Sequence, residues 1–240
     1  MRRGETQLAW RAKEHIIVLN SKEVTMTAMT ASILWHRLDV EGHDACLLAQ
    51  TDGGHSLKGQ AIFIQDGKPC CLAYEVDCDA GWHTRAALVE GFLGTRQLHY
   101  AIERDFNGQW TLNGEVQQGV DGLVDVDLGF TPASNLLAIR RYGLGIGEAS
   151  PAPAAYLTFP ELSLVRLDQT YRRLDTVRYA YAAPVFGYDE TLNVSPHGFV
   201  ATIPACGEAR LRQAEAIVIS PLRLASCRAR HAVSPPVAQW

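Results

Sequence analysis

The chain has 240 residues, a formal charge of −4, 47% hydrophobic and 20% charged side chains. Without a basic excess it offers no electrostatic footprint for a nucleic-acid backbone, and nucleic acid is not an expected partner. No segment approaches the roughly eighteen consecutive apolar residues that span a bilayer, so the expectation is a cytoplasmic protein that does not span a membrane.

Residues 1–30 mix charges with threonines, and their longest apolar run, "IIVL" (Ile16–Leu19), is too short for the core of a signal peptide. They read as an extension outside the fold. "MTAMTAS" (Met26–Ser32) also allows Met26 or Met29 as the biological start, a reading that a native peptide covering Met1 to Lys13 would exclude. Residues 31–206 form the expected single β domain, because period-two alternation dominates there. In "CLAYEVD" Leu72, Tyr74 and Val76 share a face, and in "LHYAIER" Leu98, Tyr100 and Ile102 do the same. Val124, Val126 and Leu128 face one side of "LVDVDLG", with Asp125 and Asp127 on the other; in "VRYAY" Val177, Tyr179 and Tyr181 align. Turn residues punctuate these runs at 52–54 (DGG), 66–69 (DGKP), 107–108 and 113–114 (both NG) and 195–198 (SPHG). A short helical turn starts at Thr131 as N-cap, with Pro132 at the first position. Residues 207–240 read as a short helix at 208–217 and an Arg- and Pro-rich mobile tail.

The pattern predicts an all-β fold: a curved antiparallel sheet or barrel-like meander with few short helices. "YAIERDFNGQW" (100–110) and "YAYAAPVFGYDETLNVSPHGFV" (179–200) echo each other, which leaves two similar halves open, although meander sheets look alike without shared ancestry. The six cysteines, Cys46, Cys70, Cys71, Cys78, Cys206 and Cys227, form no C-x-x-C and match no zinc motif; reduced and mostly buried thiols are expected. The eight histidines lack H-x-x-x-H or H-x-H spacing, so no metal is expected. "GLGIGE" (143–148) lacks the third glycine and the lysine of phosphate-binding loops and reads as a strand entering a loop. No cofactor is implied.

Five stretches in order, "DCDAGWHTR" (77–85), "DFNGQW...NG" (105–114), "DVDLGFTPASNLLAIRR" (125–141), "FPELSLVRLDQTYRRL" (159–174) and "YAY" (179–181), resemble a family of bacterial putative glycolipid-binding proteins. The resemblance covers roughly residues 34–205. It implies a β-sheet curled around an apolar cavity, similar to bacterial lipoprotein carriers, and an amphiphilic acylated ligand. The chain departs from the family pattern at Ala138, where a proline is usual, and at Ser195 and Ile203 near the last hairpin.

Asp125 and Asp127, two apart on a strand, point the same way and could serve as general acid and base or as ligands for a hard cation. The structural alternative is that they support arginines, with Arg140, Arg141 or Arg85 as partners. Arg140 and Arg141, read as strand neighbours, would face opposite sides, one inward toward a phosphate or sulfate head group; Arg172 and Arg173 repeat the arrangement. Aromatic residues in or near the strands, with an apolar body and a polar tip, suit a site meeting both acyl chain and sugar, or simply fill a core. The expected ligand-binding set is Trp82, Arg85, Tyr100, Trp110, Arg140, Gln169, Tyr171 and Arg172. The leading reading is non-catalytic binding of an acylated amphiphile. A cofactor-free enzyme using Asp125, Asp127 or His83 for acid–base chemistry, and a scaffold with a filled core, are the alternatives.

Overall fold

The computed structural model describes residues 28–202 except positions 39 and 162. The expectations for the N-terminal extension up to residue 27, the 208–217 helix, the C-terminal tail, Cys206 and Cys227 therefore lie outside the described residues. Ala28–Thr30, assigned to the extension, belong instead to the first strand.

Eight strands pair in sequence order as one antiparallel meander: β1 (Ala28–His36), β2 (Gly42–Thr51), β3 (Gly54–Gln65), β4 (Lys68–Asp79), β5 (Thr84–Leu93), β6 (Arg96–Arg104), β7 (Trp110–Leu112) and β8 (Glu115–Val116). Four of the predicted turns, at 52–54, 66–69, 107–108 and 113–114, connect strands of this sheet. Asp66-Gly67 and Asn113-Gly114 both have positive φ at both residues (51° and 72°, 50° and 81°), the geometry that matches the twist of the flanking strands. Among the described residues the sheet does not close and β1 and β8 are its outer strands, so the barrel-like alternative gives way to an open curved meander.

Alternation sets which face is inside. Leu72, Tyr74 and Val76 of β4 are buried, and register places Tyr74 beside Gly59 and Val89. Against this concave face packs a layer of β9 (Asp125–Asp127), a 3₁₀ turn (Pro132–Ser134), α1 (Asn135–Tyr142), β11 (Ala154–Leu157) and β12 (Leu164–Leu167). β9 and β11 pair in parallel across the α1 crossover. A five-stranded sheet, in the order β10 (Ala149–Pro151), β13 (Thr170–Arg173), β14 (Arg178–Ala183), β15 (Tyr188–Val194) and β16 (Val200–Thr202), lies on the other side of α1. The segments 100–110 and 179–200 fall in these two different sheets. Val177 precedes β14 and is exposed, so it does not share the face of Tyr179.

α1 corrects the strand reading of Arg140 and Arg141. Leu136 and Leu137 enter the core under the large sheet, whereas Ala138 and Ile139 enter the core of the smaller one. The four buried residues of α1 are consecutive and so cover most of its circumference, with the polar residues at its two ends, and the short segment shows no i, i+3, i+4 apolar repeat. Its start is as expected: the Thr131 hydroxyl accepts from Ala133 N–H ahead of Pro132. Gly143 at φ 53° ends it, with both arginines in the last turn where the helix dipole favours cations. Residues 143–148 are consequently the loop leaving a helix rather than a strand.

A buried polar cluster fastens the Thr-Pro turn to the large sheet. Asp44 accepts from the Tyr74 hydroxyl at 3.0 Å and from the Thr131 hydroxyl. Burial pushes the Asp44 carboxyl up, while those donors and Arg37 pull it down. Room for Tyr74 depends on Gly59, where a β-carbon would stand 2.2 Å from the ring carbon Cζ and 2.3 Å from Oη. Gly59→Ala is therefore expected to cost about 1–3 kcal/mol through overpacking. Urea unfolding measures it; an unchanged midpoint would show that Tyr74 relocates freely.

Of the described cysteines, Cys46, Cys70 and Cys78 are buried and Cys71 is half-buried, all as free thiols. Burial pushes the thiols of Cys46 and Cys78 up to about 12, far from the reactive thiolate range.

Candidate functional site

The concave face ends in a recess where the hairpin tips project past the covering layer. Register places Phe63, Cys70, Leu93 and Arg96 in one inward row, with Gln65 opposite Lys68 in the next row toward the tips. Here lies an open recess of about 620 Å³, walled by Gln65, Lys68, Leu93 and Arg96 and by Pro160 and Glu161 from the loop between β11 and β12. The Arg96 guanidinium donates to the Pro160 carbonyl at 3.2 Å, which fixes that loop over the sheet.

Behind the recess an aromatic series runs into the core. Phe159, next to Pro160, meets Phe63 edge-on at 5.7 Å and Phe130 at 5.8 Å; Phe130 meets Tyr74 at 5.9 Å. Edge-to-face contacts at these separations are favourable beyond simple area burial. Arg37 lies 4.3 Å above the Phe63 ring and donates to the Phe130 carbonyl at 3.0 Å. The recess itself is lined by Leu93 and Pro160 among the polar and charged Gln65, Asp66, Lys68, Arg96 and Glu161, and the aromatic series lies behind this lining. The size of the recess falls within the range of small-molecule sites, about 300–1,000 Å³.

The two aspartates of β9 serve the opposite ends of α1. Asp125 accepts two bonds from Arg141, from Nε at 2.9 Å and Nη2 at 2.6 Å. Burial raises the Asp125 carboxyl even against this guanidinium, so its charge exists there because of its partner. Asp127 does not hold an arginine, contrary to expectation: it accepts from the Ser134 hydroxyl at 3.2 Å, and Ser134 in turn accepts from Leu128 N–H. A one-turn helical start puts serine, not arginine, over this carboxylate. Burial pushes Asp127 up to about 6, with Asp125 adding to the rise. His83 contacts Asp79 at 3.2 Å, and Thr84 clamps the strand start by accepting from Val126 N–H.

The expected ligand set divides into separate places. Trp82 and Arg140 come together at the opposite end of the concave face from the recess, with the guanidinium 5.9 Å from the indole. Arg85 is exposed nearby, its Nη1 close to Gly53. Trp110 is wholly buried and donates to the Leu123 carbonyl at 3.1 Å. Tyr100 is half-buried on the inward face of β6. Tyr171 is buried under α1, donating to Asn135 at 2.5 Å, and Gln169 accepts from Tyr181 at 2.9 Å. Arg172 is exposed on β13, while Arg173 turns back to the Leu144 carbonyl.

Lys68, Leu93, Arg96 and Glu161 were not anticipated. Carrying the period-two pattern to the hairpin tips would have placed Leu93 and Arg96 with Phe63; the position of residues 159–161 over them has no local signal.

An open β meander whose concave face is filled by an inserted helix layer and ends in a half-apolar recess defines a β-sheet protein with a ligand-sized mouth. The family model described as "Putative glycolipid-binding" matches residues 32–208, and the chain belongs to that family. Among solved structures, it is similar to a DUF1089 family protein from Pseudomonas aeruginosa, with 25% identity and a TM-score of 0.59 over 87% of this chain and 100% of that one. The search of curated proteins returned no match. No helix among the described residues is long and apolar enough to cross a membrane.

Proposed function

We propose that the protein binds one acylated amphiphile of the glycolipid class, with its chain against Leu93 and Pro160 toward Phe159 and its polar head at the rim of the recess. The observation carrying this reading is the recess itself, where Leu93 and Pro160 lie among charged residues in front of the aromatic series at Phe159. Each buried methylene contributes about 0.8 kcal/mol, so eight supply about 6 kcal/mol before ordering costs. Lys68 and Arg96 offer donors to sugar hydroxyls or an acidic head group, and Asp66 and Glu161 offer acceptors. The family membership supports the ligand class.

Native mass spectrometry of the purified protein, followed by organic extraction, tests the reading. A stoichiometric acylated molecule, lost in Leu93→Trp because the indole fills the recess, is the expected result. A bare mass that stays unchanged with a panel of glycolipids, or binding indifferent to Leu93→Trp, overturns it.

A further inference from the structure

We propose that the far end of the concave face is a second site, which binds an oxyanion, a phosphate or sulfate group, through Arg140, His55 and Trp82. The site does not depend on the recess. β4 alone spans twelve residues between the two ends, about 36 Å, too far for one small head group to touch both.

The geometry begins with a backbone that no bulky residue adopts by preference. Trp82 has φ 68°, in the left-handed region that disfavours a large side chain. Asp79 enforces it: its Oδ1 accepts from Gly81 N–H at 2.8 Å and His83 N–H at 2.9 Å, and Trp82 N–H donates to the Asp79 carbonyl. The result is that the indole lies flat on His55, with ring centroids 3.7 Å apart and planes 6° from parallel. Strain of this kind persists where the surroundings over-determine it, commonly at binding sites.

Arg140 is aimed at this stack. Its Nε and Nη2 both donate to the His197 carbonyl, at 2.9 and 2.6 Å. The fit is close: a β-carbon on Gly198 would stand 2.8 Å from Nε. Two bonds to a neutral carbonyl orient a guanidinium without neutralising it. Among the described residues no carboxylate lies within ion-pairing distance of Arg140, whereas Arg141, its neighbour, is bidentate on Asp125. Arg140 Nη1, the His55 ring and the Trp82 indole N–H have no hydrogen-bond partner among the described residues. The stacked pair thus keeps two unused ring N–H or N groups, and the half-buried guanidinium beside it keeps Nη1 unused and has no carboxylate partner among the described residues. Burial and the nearby Arg140 lower the His55 pKa against the opposing pull of Asp79, and a neutral imidazole still donates through one nitrogen. A guanidinium with open N–H groups recognises the tetrahedral oxygens of phosphate or sulfate.

Proton–nitrogen correlation spectra of the full chain, with inorganic phosphate titrated in the millimolar range at constant ionic strength, test the site. Saturable shifts of the Trp82 indole and Arg140 Nε–H resonances are expected. Affinity is expected to fall about tenfold or more in Arg140→Gln, since a hydrogen bond to a charged group is lost. Arg166→Gln, exposed on β12, and Leu93→Trp are expected to leave phosphate binding unchanged. A water-soluble, short-chain phosphatidylglycerol distinguishes the source of the anion. Tighter binding than inorganic phosphate at the same resonances identifies a lipid phosphate, and equal or weaker binding identifies a free anion. The absence of saturable shifts with either probe overturns the proposal even if Arg140→Gln does not fold. Binding unaffected by Arg140→Gln, or abolished by Leu93→Trp, overturns it as well.

Discussion

Asp125→Ala is expected to lose about 3–5 kcal/mol of unfolding free energy, the cost of breaking a buried ion pair from one side. The Asp125 side chain is 2% exposed and that of Arg141 14%, so the stranded guanidinium has little access to water. Arg141 is also the residue through which the end of α1 is tied to β9. The companion double substitution Asp125→Leu with Arg141→Met is expected to be markedly less damaging, because it removes both charges and keeps the volume. Chemical denaturation of the two variants and the parent at neutral pH decides this. If the double variant is as unstable as Asp125→Ala, the pair contributes through packing and not through charge.

Asp127→Asn is expected to remove the share that Asp127 contributes to a fall in stability between about pH 4 and pH 6. The folded carboxyl holds its proton up to about 6, whereas the ordinary value is 3.8. Between these values the folded protein carries more protons than the unfolded chain, so stability decreases as pH rises through the window. Below it both states are protonated, and above it both are ionised and the penalty is constant. That penalty is about 3 kcal/mol at neutral pH. The asparagine carbonyl keeps the bond from the Ser134 hydroxyl, and the variant should gain up to that amount at pH 8. Asp44 and Asp125 are raised as well and give slopes of the same sign, so the difference between variant and parent isolates Asp127. Thermal unfolding across pH 4–8 measures it. An identical pH profile in both proteins would mean that Asp127 is ionised in the fold without penalty.

Both aspartates of β9 are hydrogen-bonded to the ends of α1. One holds the end of α1 and the other its beginning, and neither shares a proton acceptor with His83, which is engaged by Asp79. Their acid-rich, base-rich surroundings resemble a catalytic group in sequence because a buried helix fastened at both ends needs polar side chains at those ends.

Period-two alternation and Asn-Gly or Asp-Gly turns determined the large meander from the sequence by itself, since pleat and turn dihedrals are local properties. The Thr131–Pro132 helix start was legible for the same reason. The length of α1 was not, because Leu136 to Ile139 are buried between two sheets and leave no polar face to set a helical period. Nor could local pattern reveal that Asp127 meets Ser134 while Asp125 meets Arg141, or that Trp82 and Arg140, 58 positions apart, converge beside His55. The recess was decided only by tertiary structure: Leu93 and Arg96 read as ordinary hairpin residues until the loop at Pro160 closes over them. Strand and turn formation depends on neighbours along the chain, whereas a mouth between layers exists only where distant segments stop covering one another.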